Sequence, residues 1–577
     1  MKAVSLLDVN LFLTREGISV KKTLRVVLAL ILVLSTLAAC SNKNNGGNEA
    51  QTTPSTTESA STNPEAKPNE FGWELPEKTI EFSYYAGQAN PDKAGKNAKQ
   101  LQQYILDKFN VKINKLVYDV KRDERQNLML VSNDYPEVIA GMDEATVSKW
   151  VAQGKAIELG QFIDKYAPHI KEQLGDLYKT YLTDGKLYAL PSYWGLLPIP
   201  DYAAHMRYDY LNELGNPTFE TPDQFYDILK QMQAKHPKND KGEKTYALTS
   251  YAPVTTNTVP TLAGIWGLKE GYKVTPEGVM THWVNTPEGL ELTKFMNKIF
   301  RDGLLDPDSF INKYENMKAK MSTDRVMGYV GAWWIGWNAG HELWQKADTK
   351  WTEDKRFMQY ALKAPNAEKS YMSGKNARSG NMTIITDKAK NPEDIVKWLD
   401  FSMTDIGTRL IGWGVPNTDK STWKFENDQP SFVDAAKQAI LDSTFDYDAG
   451  ELIGMDQLNL VSPDGTMKDD GKSTYWYDQN FNEEAKWKKM LNDNLKDTIY
   501  DNTFGNIPIL ANNPLAVTDK QITDLLETLW AKAVMSKTEE ESVANFKAMQ
   551  DKLNDAGLNK IEQFKSEEYQ RRLKEWK

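Results

Sequence analysis

Aromatic side chains cluster where the chain is expected to turn, and they are the residues best suited to binding a solute. Trp333, Trp334 and Trp337 follow directly on the apolar segment 326–330, with glycines on both sides. Indole faces combine apolar area with a polar N–H, which suits the apolar faces of sugar rings while neighbouring groups bind hydroxyls. The cluster therefore predicts stacking on a sugar, and the alternative is ordinary packing in a core.

Further candidates follow other predicted strands in the same way. Tyr84 and Tyr85 end the first strand, and Trp194 comes shortly after another. Asp143 follows a third strand, and its carboxylate can accept hydrogen bonds from hydroxyl groups. Because the carboxyl ends of parallel strands meet at one edge of a sheet, we expect these four side chains to share a cleft with the three tryptophans.

Residue types that carry catalysis or bind metals are few or unsuitably spaced. The five histidines are scattered, with no pair at metal-binding spacing: His169, His205, His236, His282 and His341. A single cysteine, Cys40, excludes an intramolecular disulfide and a multi-cysteine metal site. No Gly-x-Ser-x-Gly motif occurs, and segment 465–473 has one residue too many between its glycines for a phosphate-binding loop. Neither nucleophilic catalysis nor nucleotide binding is predicted.

Loop 236–245 contains a glycine and acidic residues but lacks the order of a calcium loop. With Gly242 in the sixth position, Pro237, Lys241 and Leu248 would occupy ligand positions, and their side chains do not bind calcium. We therefore predict no metal site.

Glycoside hydrolysis needs two carboxylates beside the scissile bond. The 80 acidic residues leave that alternative open without singling out a pair.

The segment that ends at Cys40 has the order of a secretory signal. A basic stretch at 21–25 precedes nine apolar residues, 26–34, which are too few for a comfortable membrane span. Leu-Ala-Ala-Cys at 37–40 resembles the bacterial lipobox, in which the cysteine is lipidated and becomes the mature N-terminus. The resemblance predicts a signal peptide over 1–39 and a lipid on Cys40 that anchors the protein to the outer face of the cell membrane.

The regions on either side of this signal also carry predictions. Asp8 and Glu16 do not fit the basic start of a signal peptide, so we expect translation to begin at Val20 and not to include 1–19. Residues 40–70 contain, after the cysteine, no aromatic side chain and no aliphatic one larger than alanine or proline. Such a segment cannot bury enough apolar area to offset its ordering entropy, which predicts a disordered tether.

The overall charge limits the possible partners. The 577 residues include 70 Lys and Arg against 80 Asp and Glu, a net charge of −10. Without residues 1–39 the counts are 65 and 78, a net charge of −13. Binding a nucleic acid requires an excess of cations for its phosphates. A nucleic-acid partner is therefore excluded.

Short strands and helices alternate after residue 77. Strands at 79–84, 111–117 and 138–140 enclose helices at 96–109 and 124–131. A β-α-β-α-β series predicts a parallel sheet with crossover helices. The middle of the chain is more helical, strands then return, and the last sixty residues are helical again. Strands that reappear after a helical insertion predict two lobes, each built from discontinuous stretches.

Six short motifs occur in a fixed order along the chain. They are the lipobox at 37–40, SNDYPEVI at 132–139, GKLYALP at 185–191, RYDYL at 207–211 followed by Leu214-Gly215, Pro217 and Thr221-Pro222, GLLDP at 303–307, and NPE at 391–393 with WLD at 398–400. In type and order they resemble motifs of the extracellular solute-binding proteins, family 1, of bacterial ABC sugar importers. The match is to the long lipoprotein branch of that family and runs from the lipobox to the C-terminus.

This resemblance implies a fold and a function. The fold is α/β, like a periplasmic binding protein of type II, with discontinuous lobes, a hinge and a helical C-terminus. Lobe 1 covers 71–200 and 325–425, and lobe 2 covers 201–324 and 426–577. The implied function is that of a monomer without enzyme activity that captures an oligosaccharide between the lobes and delivers it to an ABC permease. A receptor for a peptide or other polar solute, and a surface glycoside hydrolase or lyase, remain alternatives.

Overall fold

The computed structural model describes most of the chain after residue 67. The described ranges are 68–85, 96–116, 122–191, 202–344, 352–372, 382–435, 486–498, 507–510 and 513–575, without positions 184, 342, 405, 408, 411–413, 419–420, 422 and 427–428. All of them lie in one compact unit, Ala66–Lys577. The predicted signal peptide, Cys40, the tether up to residue 67, segment 465–473 and Trp194 lie outside the described residues. None of the helices in these ranges is long and apolar enough to cross a membrane.

Strands and helices are numbered here in chain order. The strands are β1 (Ile80–Tyr85), β2 (Val111–Leu116), β3 (Val138–Met142), β4 (Leu182–Thr183), β5 (Lys186–Leu187), β6 (Leu190–Pro191), β7 (Tyr202–Arg207), β8 (Tyr246–Thr249), β9 (Tyr272–Val274), β10 (Met280–His282), β11 (Val326–Ala332), β12 (Phe357–Tyr360), β13 (Met382–Ile385), β14 (Trp423–Glu426) and β15 (Gln429–Phe432). The helices are α1 (Lys96–Phe109), α2 (Arg122–Ser132), α3 (Glu144–Ala152), α4 (Gly160–Tyr166), α5 (Pro168–Leu174), α6 (Tyr208–Glu213), α7 (Pro222–Lys235), α8 (Val254–Asn257), α9 (Val259–Gly264), α10 (Pro287–Arg301), α11 (Tyr314–Ser322), α12 (Trp333–Gly336), α13 (Pro392–Ser402), α14 (Lys486–Leu495), α15 (Ala516–Val534), α16 (Glu539–Asp555) and α17 (Leu558–Glu575).

The first sheet has five strands in the order β2-β1-β3-β13-β6. Strand β1 is parallel to β2 and β3, with Ile80 opposite Val111 and Tyr84 opposite Val138. Strand β13 is antiparallel to β3 and β6. Every residue of β3 is buried, as is usual for a strand inside an α/β sheet. The predicted parallel β-α-β-α-β series is confirmed.

One apolar core belongs to the first sheet and its helices. It draws on side chains between Phe71 and Leu190 and, after a long interval, between Met382 and Trp423. The indoles of Trp150, Trp398 and Trp423 are fully buried there. Because two separate stretches of chain fill the same core, this part of the molecule is discontinuous in sequence.

The second sheet has four strands in the order β12-β7-β11-β8. Strand β11 lies between antiparallel β7 and parallel β8, so Tyr329 is opposite both His205 and Thr249. A second apolar core draws on residues between Ala203 and Met372 and between Trp487 and Ile561. Helices α15 and α16 pack on α10 in this core. The predicted helical C-terminus is confirmed, as is the mixed α/β fold class.

The structure differs from the predicted lobe boundary at residue 325. The predicted first lobe includes 325–425, but β11 and β12 lie in the second sheet and contribute to the second core. Only the part from Met382 onward joins the first core. The reason is a crossover: after β8 the chain passes through α10 and α11 and returns as β11, parallel to and adjacent to β8.

Candidate functional site

The three tryptophans of the predicted cluster lie at the end of β11. That strand ends at Ala332, α12 spans Trp333–Gly336, and a wider helical turn over Trp337–His341 follows. The side chains of Trp333, Trp334 and Trp337 are 36%, 36% and 37% exposed. Large apolar side chains exposed together mark interaction sites more often than isolated ones do. The structure therefore places this tryptophan cluster (Trp333, Trp334 and Trp337) at the surface and not in a core.

Neighbouring rings hold two of the three indoles from one side. Tyr314 of α11 contacts Trp334 with ring centroids 5.7 Å apart and planes at 55°, and Tyr314 itself packs against Tyr251 at 5.5 Å. The imidazole of His341 stacks on Trp337 at 4.4 Å with planes at 16°. Since these contacts cover one side of each indole, its exposed area lies on the remaining face and edge. Such a ring is held in place and still open to a solute.

His341 provides an uncharged contact for Trp337. Its side chain is buried, and burial lowers the pKa of the imidazole to about 3, with the positive charge of Arg356 acting in the same direction. Burial disfavours the charged form because the imidazolium would lose its hydration. The imidazole is therefore neutral at neutral pH, and its stacking on Trp337 does not change there.

Tyr84 and Tyr85 lie in the first core. Both end β1, and they are 1% and 2% exposed. Burial raises the pKa of Tyr84 above its usual value. Strand β1 lies between β2 and β3 in the sheet, and side chains on either face of such a strand are commonly covered. Neither ring is open to a solute in this structure, which differs from the prediction.

Asp143 is exposed and caps a helix. It directly precedes α3, and its Oδ1 accepts a hydrogen bond of 2.7 Å from the Thr146 backbone N–H. A side chain in this position satisfies one of the unpaired N–H groups at a helix start. Asp143 therefore has a structural role, and it belongs to the half of the molecule with the first sheet. The tryptophan cluster belongs to the half with the second sheet, and Trp194 lies outside the described residues.

Sequence reasoning missed Tyr314 and His341, which contact the tryptophan cluster, and Tyr251, which packs against Tyr314. His341 alone had a signal in the sequence, since it follows Trp337 by four residues and such a pair shares one face of a helix. Tyr251 and Tyr314 lie on separate elements, and their contact depends on the tertiary fold.

No metal site is apparent in the part of the chain that the structure describes: no three His, Cys, Asp or Glu side chains come together there. In loop 236–245 the Asn239 amide donates to Glu243 Oε2 at 2.9 Å, and the Arg325 guanidinium lies 3.9 Å from Glu243 Oε1. The Glu243 carboxylate thus already has protein partners. The absence of a bound metal stays a prediction.

A cavity of about 390 Å³ lies in the half with the first sheet. Its lining residues are Glu70, Phe71, Tyr104, Lys108, Pro416, Asn417, Thr418 and Phe425. Lys108 pairs with Glu70 at 3.0 Å, and the Asn417 amide bonds the backbone of Phe425 at 2.8 and 2.9 Å. These polar groups are satisfied within the protein, so the cavity does not single out a ligand.

Curated proteins similar to this chain include a transporter component, a carbohydrate-binding protein and a lipoprotein. No protein-family model matches the chain. It is 24% identical over 424 residues to the fructooligosaccharide ABC transporter substrate-binding protein FusA of Streptococcus pneumoniae serotype 4, covering 69% of this chain and 72% of FusA. The polygalacturonan/rhamnogalacturonan-binding protein YtcQ of Bacillus subtilis is 22% identical over 44% of this chain and 50% of YtcQ. Lipoprotein LipO of Bacillus subtilis is 21% identical over 56% of this chain and 63% of LipO.

Solved structures of binding proteins share the fold. The FusA complex with kestose matches with a TM-score of 0.62 and 19% identity, over 86% of this chain and 99% of that one. The alginate-binding protein AlgQ2 without calcium ion matches with a TM-score of 0.59 and 18% identity, over the same shares. FusA is named as the substrate-binding protein of an ABC transporter, and YtcQ and AlgQ2 are named as binding proteins. The motif resemblance is therefore confirmed: the chain is a homologue of the substrate-binding proteins of ABC transporters and has their two-lobe α/β fold.

Proposed function

We propose that this protein captures an oligosaccharide between its two lobes and delivers it to the permease of an ABC importer. The observation that carries the proposal is the tryptophan cluster, in which three adjacent indoles are each about one-third exposed. A row of apolar faces suits successive sugar rings better than it suits an ion or a small polar solute. The relatives FusA and YtcQ, whose names give fructooligosaccharide and polygalacturonan/rhamnogalacturonan as ligands, support the same class of ligand.

The two sheets suggest how capture is coupled to delivery. We place the first lobe at 71–191 and 382–425 and the second at 202–372 and 486–575, with the tryptophan cluster on the second. An oligosaccharide that contacts both lobes binds the closed form more tightly than the open form and shifts the equilibrium between them.

Of the other predicted site residues, we keep Trp194 as a further stacking residue. Tyr84, Tyr85 and Asp143 have the structural roles described above.

Replacing Trp334 by alanine tests the binding surface. The variant should weaken oligosaccharide binding about tenfold, or about 1.4 kcal/mol, because one stacking face is lost. Alanine at all three positions of the cluster should abolish binding. The probes are kestose, nystose and trigalacturonic acid, screened by the rise in melting temperature that a ligand of the folded state produces, followed by calorimetric titration.

Leu128→Ala is the matched control, since it removes an exposed apolar side chain from α2 in the other half of the molecule. It should leave affinity unchanged. If the triple tryptophan variant binds as tightly as the native protein, the proposed surface is wrong. Binding of peptides but of no saccharide would favour a receptor for another solute, and release of shortened saccharide would indicate a glycoside hydrolase or lyase.

We also propose that the mature protein begins at a lipidated Cys40 and works outside the cytoplasm. Extracytoplasmic location is common to its substrate-binding relatives, and LipO is a lipoprotein by name. Cells grown with labelled palmitate should incorporate the label into the native protein and not into Cys40→Ser. Label in the serine variant, or none in the native protein, would contradict a lipid at this residue.

A further inference from the structure

Tyr329 lies in β11, four residues before the first residue of α12. Its ring is buried between His205, stacked at 4.2 Å with planes at 9°, and Phe357, edge-on at 5.4 Å. Both neighbours of β11 in the sheet pair with this residue, His205 on one side and Thr249 on the other. The ring and the backbone of Tyr329 are therefore fixed by the second sheet.

The hydroxyl of Tyr329 bridges the two ends of α12, which carries Trp333 and Trp334 and is followed directly by Trp337. Its Oη donates to the carbonyl oxygen of Ala332 at 3.0 Å and accepts from the Gly336 N–H at 2.9 Å. Ala332 is the N-cap of α12 but provides no side-chain hydrogen bond, and Gly336 is the last residue of the helix. The helical segment of α12 and the wider turn that follows it has about nine residues, which is too short to be stable by its own hydrogen bonds. Its geometry therefore depends on groups outside it, among them this hydroxyl.

Gly336 packs so closely against Tyr329 and Phe357 that only a residue without a side chain fits there. A Cβ atom there would lie 2.8 Å from Tyr329 Oη and 2.9 Å from the Cβ of Phe357, closer than side-chain atoms pack. Burial also raises the pKa of Tyr329 above its usual value, so the hydroxyl stays protonated and can both donate and accept.

We infer that Tyr329 is a positioning residue for the oligosaccharide surface: its hydroxyl sets the orientation of α12 and of the turn that follows it, and thereby the faces of Trp333, Trp334 and Trp337. The inference rests on the proposed function, since it assigns a role in the same site. Tyr329 itself is buried and does not touch the saccharide. Its effect passes through the backbone of Ala332 and Gly336.

Tyr329→Phe removes the bridge and keeps the ring. We expect a folded protein whose affinity for the best-binding saccharide among kestose, nystose and trigalacturonic acid is lower by about fivefold, the scale of one lost hydrogen bond. Without any saccharide, quenching of tryptophan fluorescence by acrylamide should rise, because the indoles of the cluster are less firmly held. The melting temperature is measured alongside.

Tyr135→Phe is the matched control. Tyr135 is also buried, and its hydroxyl bonds Asp387 at 2.7 Å and Asn133 at 3.1 Å in the half with the first sheet. This variant should lower the melting temperature without changing affinity or quenching. If Tyr329→Phe behaves like Tyr135→Phe while Trp334→Ala loses affinity, the positioning role is wrong and the proposed function stands. Native affinity in the triple tryptophan variant would instead overturn the proposed function.

Gly336→Ala perturbs the same contact from the backbone side. It should weaken saccharide binding, and combining it with Tyr329→Phe should weaken binding no further than the larger single effect, since both act through one contact. Additive losses would overturn the inference. If Tyr329→Phe fails to fold, Gly336→Ala alone tests the inference. Native saccharide affinity and native acrylamide quenching in Gly336→Ala would then overturn the inference.

Discussion

Replacing Lys320 by methionine is expected to lower the free energy of unfolding by about 3–5 kcal/mol, because it leaves a buried carboxylate without its counter-ion. That carboxylate belongs to Asp306, which is 0% exposed. The Lys320 Nζ lies 3.0 and 2.8 Å from the two oxygens of Asp306 and 2.8 Å from Oδ2 of Asp308. Burial alone would lower the pKa of Lys320, but the two carboxylates raise it above its usual value, so the ammonium is charged.

Urea unfolding, followed by circular dichroism, measures this loss against a surface control. Lys520→Met removes the lysine of an exposed i, i+4 pair with Asp524 and should change stability by less than about 0.5 kcal/mol. Adding Asp306→Asn to Lys320→Met should recover part of the loss, because the buried group is then neutral. A Lys320→Met variant as stable as Lys520→Met would show that the buried pair contributes little.

Two motifs that identified the family turn out to stabilise the second half of the molecule. GLLDP contains Asp306, which also accepts from Thr249 Oγ1 of β8 at 2.8 Å and from Asn312 Nδ2 at 3.0 Å. The motif could be recognised in the sequence, but its role could not. Its cation, Lys320, lies fourteen residues further along on α11, and only the fold brings the two together.

RYDYL is the second motif that stabilises this half of the molecule. The Arg207 guanidinium is buried, donates to Asp209 at 2.8 Å and to Asp324 at 2.7 Å, and lies over the rings of Tyr210 and Trp344. Arg207, Asp209 and Tyr210 are part of the motif, whereas Asp324 and Trp344 are more than a hundred residues away. The motif therefore contains half of the residues in this arrangement, and only the fold brings the other half to Arg207.

The prediction of aromatic site residues was limited in the same way, because exposure of a side chain depends on the tertiary fold. Trp333, Trp334 and Trp337 could be predicted as surface residues because glycines around them force the backbone to turn, and bulky rings do not pack easily there. Tyr84 and Tyr85 follow the same rule of position at a strand end, yet both are buried. Whether the end of a strand is covered depends on its neighbours, and the sequence predicted the strands of this series without their order in the sheet, in which β1 lies between β2 and β3.

Lowering the pH from 7 to 5 is expected to destabilise the protein by about 2 kcal/mol for each of three buried histidines. His205, His282 and His341 are buried, and burial lowers the pKa of each to about 3. In the unfolded chain a histidine has a pKa of about 6.5. Between these two values the unfolded state binds a proton that the folded state does not. Stability is therefore full above about pH 7 and falls as the pH drops through 6.5 towards 3.

Urea unfolding at pH 7, 6 and 5 measures this dependence. Burial raises the pKa of Glu270 and Asp519, and these two carboxyl groups are common to the native protein and to every variant compared. Each of His205→Gln, His282→Gln and His341→Gln should reduce the proton uptake on unfolding at pH 5 by about one. Lys520→Met retains all three histidines and should keep the native pH dependence.

A native pH dependence of stability in all three histidine variants would mean that these imidazoles are protonated in the folded protein at pH 5. His341 would then carry a positive charge against Trp337, and saccharide binding should weaken over the same pH range.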